Sequence, residues 1–294
     1  MVVIRELVES PTECGVYECT VRFNLDCIKE NSDFMMLYNF SVARLCPTDL
    51  GHPHSRRRVI IAVTLKAKRV ELLSLQHFIS ACQRTPVTTG QVYYCAPDDH
   101  LQDARAQMAS NRSLCPTSPW STLLTVGNAM CRCRHAERLI QKCGKPTSIA
   151  MIEQDVGFES SGQHMPCLTQ ISLPWSFDLG RPLLAEEAFV VQGMPAFELL
   201  EEAAGVQCPI DLKAISHCTL RSMSGNGQSL PAMGTVIMWL LSCTTHHEQP
   251  AAPRLMPPSE DSVDDVERAS FGFACSSQVE IHWVEIELNF IQCM

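Results

Sequence analysis

Val59-Ile60-Ile61-Ala62-Val63 is an uninterrupted apolar run that directly follows three consecutive arginines, Arg56, Arg57 and Arg58. A run this short, entered from the turn-forming segment Gly51-His52-Pro53-His54-Ser55, suits a buried strand. The arginines then place dense positive charge on the lip of that strand. In α/β sheets ligands sit at strand ends, and a fixed guanidinium is suited to clamp a phosphate or a carbonyl oxygen. On charge alone, a basic turn that only solubilises the strand is an equal reading.

The flanking sequence repeats the pattern of strands and helices. Residues 1–64 read as a strand at 2–4, a loop, a helix at about 26–36, a strand at 39–45, and then the turn and strand at 59–63. That alternation indicates an α/β sheet with helical crossovers. From 65 to 180 the regularity falls, with Pro86, Pro97, Pro116, Pro119, Pro146, Pro166 and Pro174 among many Ser and Thr. A helix is expected at 186–191, stopped by Gly193-Met194-Pro195. Another runs over 233–241 with Pro231 near its start, where a missing N–H costs nothing. Residues 245–270 read as a linker, and 279–291 as a bulged edge strand. Gly127-Asn128 reads as a turn.

Composition narrows the function. With 294 residues and 46% hydrophobic content the chain can form a real core. No apolar run approaches the roughly 20 residues that span a bilayer, and the N-terminus lacks a signal-peptide pattern. The expectation is a soluble intracellular protein with no membrane partner. A net charge of −9 argues against a general polyanion binder. Yet residues 51–70 carry Arg56, Arg57, Arg58, Lys66, Lys68 and Arg69 without one acid, which fits nucleic-acid contact on one face or a solvated loop. The 16 cysteines include no Cys-x-x-Cys pair. Cys131-Arg132-Cys133-Arg134-His135 is not a usual zinc spacing, so no metal is assigned and ordinary thiols are favoured.

Gly51, Pro53, Arg56 and Arg58 match a motif of the DNA (cytosine-5) methyltransferases, Gly-x-Pro-Gln-x-Arg-x-Arg, with His54 in place of Gln. Three further segments resemble motifs of that family in the family's order. Glu6-Leu7-Val8 resembles Glu-Asn-Val. Arg181-Pro182-Leu183-Leu184-Ala185-Glu186-Glu187, running on to Gln192-Gly193-Met194-Pro195, resembles the Arg-x-Leu-Thr-x-x-Glu segment that ends in Gln-Gly-Phe-Pro. Gly225-Asn226-Gly227 resembles the closing Gly-Asn-(Ser/Ala) motif. The resemblance covers residues 2 to about 242. It implies a partial Rossmann-like, S-adenosylmethionine-dependent methyltransferase sheet plus an irregular target-recognition region. The corresponding divisions are 1–64 for the C-terminal part of the catalytic sheet and 65–178 for the recognition region. Residues 179–244 would hold the closing motifs and helix, and 245–294 a linker and tail.

The implied chemistry is methyl transfer from S-adenosylmethionine to carbon 5 of a cytosine flipped out of DNA. A thiolate adds to carbon 6, an acid acts at nitrogen 3, and a cation stabilises the charge developing near the carbonyl oxygen. By resemblance Glu6 is the acid, Arg58 with Arg56 the cation, and Gly225 and Asn226 close the cofactor pocket. Strand alternation then predicts Arg56 and Arg58 on the side of Glu6, with Arg57 opposite. The family's nucleophilic Pro-Cys motif and Gly-rich cofactor turn lie upstream of its Glu motif, whereas Pro166-Cys167 falls after the arginine motif. The expectation is therefore the C-terminal portion of a methyltransferase, inactive alone, with DNA as partner and possibly a second chain supplying an N-terminal half. In a eukaryote it would be nuclear. The departures at Leu7, His54, Met194 and Gly227 favour decay, and the strands at 2–4 and 59–63 would be left with open edges or faces. The alternative is a non-catalytic DNA- or protein-binding module derived from the same fold.

Overall fold

A computed structural model describes residues 2–145, 148–156 and 162–246. In chain order the elements are α1 (Val2–Glu9), β1 (Cys14–Cys19), α2 (Asp26–Lys29), α3 (Ser32–Leu37), β2 (Tyr38–Leu45), β3 (Arg58–Leu65) and β4 (Arg69–Glu71). There follow α4 (Leu75–Cys82), α5 (Asp98–Ser110), α6 (Val126–Cys143), β5 (Ile149–Met151), β6 (Pro174–Ser176) and β7 (Arg181–Pro182). The last are α7 (Ala185–Val191), α8 (Glu198–Ala204), α9 (His217–Asn226), α10 (Leu230–Cys243) and β8 (Thr244–His246).

The protein is of the α/β class, and the apolar run explains why. β3 lies between β1 and β2 and is antiparallel to both. Its alternate residues bury in opposite directions. Ile60 and Ala62 pack with Leu75 and Ile79 of α4 and with Val236 and Trp239 of α10. Val59, Ile61 and Val63 pack with Ile4 and Leu7 of α1 and Phe34 of α3. The strand is therefore neither an edge nor uncovered, contrary to the expected open faces. β1 and β2 both oppose β3 and so run the same way. The connection between them through α2 and α3 is the helical crossover expected from sequence, with β3 inserted between its two strands.

Two local expectations are corrected. Residues 2–4 are helical, not a strand. Ile4 and Leu7, three apart, both bury against the sheet, while Arg5 and Glu9, four apart, pair at 2.7 Å on the exposed side, a helical spacing. The helix expected over 26–36 is two, because the Asn31 side chain accepts a hydrogen bond from Phe34 N and starts α3 afresh. The strands at β2 and β3 and the helices α7 and α10 fall where the sequence placed them, and Gly193, at φ 93°, stops α7.

The middle of the chain is more regular than its proline content suggested. It contains α4, α5, the 18-residue α6 and the small sheet β5-β6-β7. Gly127-Asn128 is not a separate turn. It lies in the first turn of α6, where Thr125 caps Asn128 N. Packing crosses the sequence divisions: α4 joins α10 on the main sheet, and β7 pairs with β6. Residues 247–294 lie outside the described residues, and with them most of the expected linker at 245–270 and all of the edge strand at 279–291. Among the described residues no helix is long and apolar enough to cross a membrane.

Candidate functional site

The arginine motif is held rigidly before β3 begins. Ser55 N donates to Met165 O and Met165 N donates to Pro53 O, both at 2.8 Å. This clips residues 53–55 onto the chain just ahead of Pro166-Cys167. Alternation then acts as expected: Arg57 is exposed, whereas Arg56 is 4% exposed and Arg58 22%.

The acid they meet is Glu18, not Glu6. In the β1–β3 register Glu18 stands opposite Ile60, so it shares a face with Arg58, one diagonal step along the sheet. Arg58 Nε reaches Glu18 Oε1 at 2.9 Å and Arg56 Nε approaches the same oxygen at 3.6 Å. Glu18 is 6% exposed, and its Oε2 has no hydrogen-bond partner. Glu6, by contrast, lies on the exposed face of α1. The carboxylate beside the arginines is thus Glu18, in a stretch that read as loop. The signal available was Val16-Tyr17-Glu18, apolar strand formers running into a carboxylate.

The two arginines are not equivalent. Arg56 Nη1 donates to Leu168 O (3.3 Å) and Gly225 O (3.5 Å), and Nη2 to Gly227 O (2.6 Å). It fastens the 167–168 segment to the end of α9, and burial, with Arg58 adding like charge, pushes its pKa down. Arg58 Nη1 donates to its neighbour's carbonyl, Arg57 O, at 2.8 Å, and Nη2 faces Cys167 Sγ at 3.7 Å. More open and beside Glu18, Arg58 is the guanidinium that a ligand can reach.

Gly225 and Asn226 are brought to this site, but as packing. A Cβ on Gly225 would stand 2.1 Å from Thr169 C and 2.2 Å from Gln170 N. Asn226 Oδ1 accepts from Gln170 Nε2 at 2.8 Å. The 169–170 loop fills the space beside Gly225 and Arg56 takes its carbonyl, whereas Asn226 is exposed with its Oδ1 held by Gln170. Arg181 and Glu187 are likewise internal. They form a buried pair at 2.7 and 2.8 Å, with the Arg181 guanidinium over the Tyr94 ring and the Glu187 carboxylate accepting from Leu184 N and Ala96 N. This pair locks β7 to α7.

His54 is fully buried, and neither ring nitrogen has a partner. Burial above all, then Arg56, Arg58 and His52, lowers its pKa from 6.5 to about 3, so the ring is neutral. Of the rest of the basic strip, Arg69 pairs with Glu13 in a part-buried position, whereas Lys66, which donates to Met35 O, and Lys68 are exposed. Cys131, Cys133 and His135 lie along α6. His135 is buried with Nε2 3.1 Å from Gln154 O, and among the described residues no group of three or more His, Cys, Asp or Glu is placed to hold a metal.

No family model matches this sequence, and no curated protein is similar enough to be matched with it. Among solved structures it resembles the Dnmt2 methyltransferase of S. pombe, with a TM-score of 0.45 and 13% identity over 81% of this chain and 71% of that one. It also resembles the methyltransferase EhMeth of Entamoeba histolytica, with a TM-score of 0.42 and 14% identity over 81% of this chain and 67% of that one. The likeness is partial, and the residues of the site carry the functional conclusion.

Proposed function

We propose that Glu18 and Arg58 form the base-recognition element of a cytosine-5 methyltransferase site acting on DNA, with S-adenosylmethionine as the methyl donor. The observation that carries this is the buried Glu18 carboxylate, anchored through Oε1 by Arg58 while Oε2 stays unpaired. A cytosine edge offers a nitrogen acceptor at position 3 beside a carbonyl oxygen. A proton on Oε2 meets that nitrogen while Oε1 keeps its bond from Arg58. Arg58 then stands near the carbonyl oxygen, where negative charge grows when a nucleophile adds to the ring. Only a base out of the duplex reaches such a buried pair. Arg56 holds the loop that walls the site instead of touching the base. No step is assigned to Gly225, whose space the 169–170 loop fills, or to Asn226, whose Oδ1 is held by Gln170.

The order of the arginine motif and the segments at 181–195 and 225–227 adds support, although the Glu motif at 6–8 does not reach the site. The alternative, a non-catalytic DNA- or protein-binding module that uses the exposed Arg57, Lys66 and Lys68, is separated by the same test. The test is fluorescence polarisation with duplex DNA carrying one unpaired cytosine, compared with thymine at the same position. A preference for cytosine worth about 1–3 kcal/mol is expected, lost in Glu18→Gln and in Arg58→Gln. Equal affinity for the two bases would overturn the assignment.

A further inference from the structure

The 18-residue helix α6 presents a line of charge that the base-recognition reading does not use. Arg134, Arg138 and Lys142 stand four residues apart on it, and all three are exposed. Cations at that spacing share one face and repel one another. None of them forms an ion pair among the described residues, and neither does Glu137, the one acid of the helix. Towards the N-terminus the same line turns apolar at Met130 and Val126, 53% and 79% exposed. These two residues border an open groove of about 630 Å³ that Leu124 and Ala129 also line. One face of α6 is thus cationic in its second half and apolar in its first.

The sequence beyond the described residues has the opposite charge. Residues 247–294 hold nine acids against two arginines, which is −7 of the chain's net −9. Five of those acids fall within the eight positions from Glu260 to Glu267, and Phe271 and Phe273 follow. We propose that residues 260–273 dock along α6 in the reverse direction, with the acids on Arg138 and Lys142 and the two phenylalanines in the groove. The lengths agree: Met130 and Lys142 are about 18 Å apart along a helix, and Asp264 to Phe271 spans up to about 24 Å when extended. The stretch between His246 and Glu260 extends to about 45 Å, comparable with the diameter of a folded body of this size. Pro250, Pro253, Pro257 and Pro258 give it the composition of a stiff spacer. Because the segment is tethered, modest charge pairing and one apolar anchor suffice to hold it. Docked, it closes the α6 face to outside polyanions. This restraint does not depend on the Glu18–Arg58 reading.

The test uses the full chain and a carbodiimide, which joins an amine to a carboxylate in contact with it and leaves no spacer. Cross-linked peptides are read by mass spectrometry, with exposed Lys66 and Lys68 as references. At low salt Lys142 is expected to link to residues 260–267 about tenfold more than either reference does, on the scale of electrostatic enrichment. The links should be lost near 1 M salt, where the screening length is about 3 Å. Arg138→Glu should weaken them several-fold. Phe271→Ser with Phe273→Ser should raise peroxide oxidation of Met130 towards that of exposed Met36. The salt series on the unaltered protein needs no variant to fold. In a mixture of isotopically heavy and light chains the links should join like with like; mixed links would hand the face to a second copy and overturn the proposal. Linking of Lys142 no greater than that of the references would overturn it too, and duplex DNA then shielding Lys142 from acylation would assign the face to nucleic acid. Cytosine preference is measured separately, so either idea can fail alone.

Discussion

Lowering the pH from about 7 to about 5 is expected to remove about 2 kcal/mol of stability through His54 alone. The imidazole is fully buried among cations, with a folded pKa of about 3 against an ordinary 6.5. Between those values the unfolded chain binds a proton that the native state refuses. Stability therefore rises with pH across this window, and is lost as pH falls below the unfolded value towards the folded one. At pH 5 the solution lies roughly 1.5 units below the unfolded pKa, and each unit is worth about 1.4 kcal/mol. The assay is urea unfolding at both pH values for the natural protein and for His54→Gln. Gln fills a similar space and does not titrate, so the variant should lose about 2 kcal/mol less over the same interval. Carboxylates titrate in both proteins, and the difference between the two isolates the histidine. If both lose the same stability, His54 is not the neutral buried group described.

Gly225→Ala should lower the urea midpoint by an overpacking cost of roughly 1–3 kcal/mol, since the new methyl would meet the Thr169 and Gln170 backbone; an unchanged midpoint would show that the loop yields freely. Arg181→Met leaves Glu187, 0% exposed, without its counter-charge and should cost about 3–5 kcal/mol in chemical denaturation. The double variant with Glu187→Leu should recover much of that loss, and no recovery would refute pairing as the cause. Arg56→Lys should destabilise more than Arg58→Lys, because one ammonium cannot span the carbonyls of residues 168, 225 and 227; the reverse order in thermal melts would contradict the fastening role.

Strong local signals made part of this architecture legible. β3 is an unbroken apolar run, β2 leads into it through a Gly- and Pro-bearing turn, and α7 ends where Gly193 takes a positive φ. What was lost depended on distant partners. The strand β1 contains Gly15 and Glu18, two residues that spoil a strand pattern. Glu18 can be buried only because Arg58, 40 positions later, supplies the opposite charge. α1 failed for another reason: Val2-Val3-Ile4 is too short a run for periodicity to decide between strand and helix. The Ile4–Leu7 and Arg5–Glu9 spacings that settle it were present, but weaker than the apolar run. Attaching the Glu motif to α1 therefore placed Glu6 away from the arginines, on the exposed face of a helix, while the carboxylate beside them is Glu18.

The spacing of the arginines accounts for their division of labour. Both point to one side because they stand two positions apart, with only Arg57 between them, but only Arg58 belongs to β3. Its position is fixed by the sheet register, opposite Leu45 and diagonal to Glu18. Arg56 precedes the strand, where the bonds to Met165 hold the backbone, so its side chain passes into the gap between residues 167–168 and 225–227. There backbone carbonyls, the natural partners of a buried cation that must replace lost water, receive its donors. A ligand competing for Arg56 would have to break those bonds and separate two chain segments. One approaching Arg58 displaces no such fastening, and finds the unpaired Glu18 oxygen beside it. In the proposed reading, recognition therefore falls to the Glu18–Arg58 edge, while Arg56 holds the adjoining segments together.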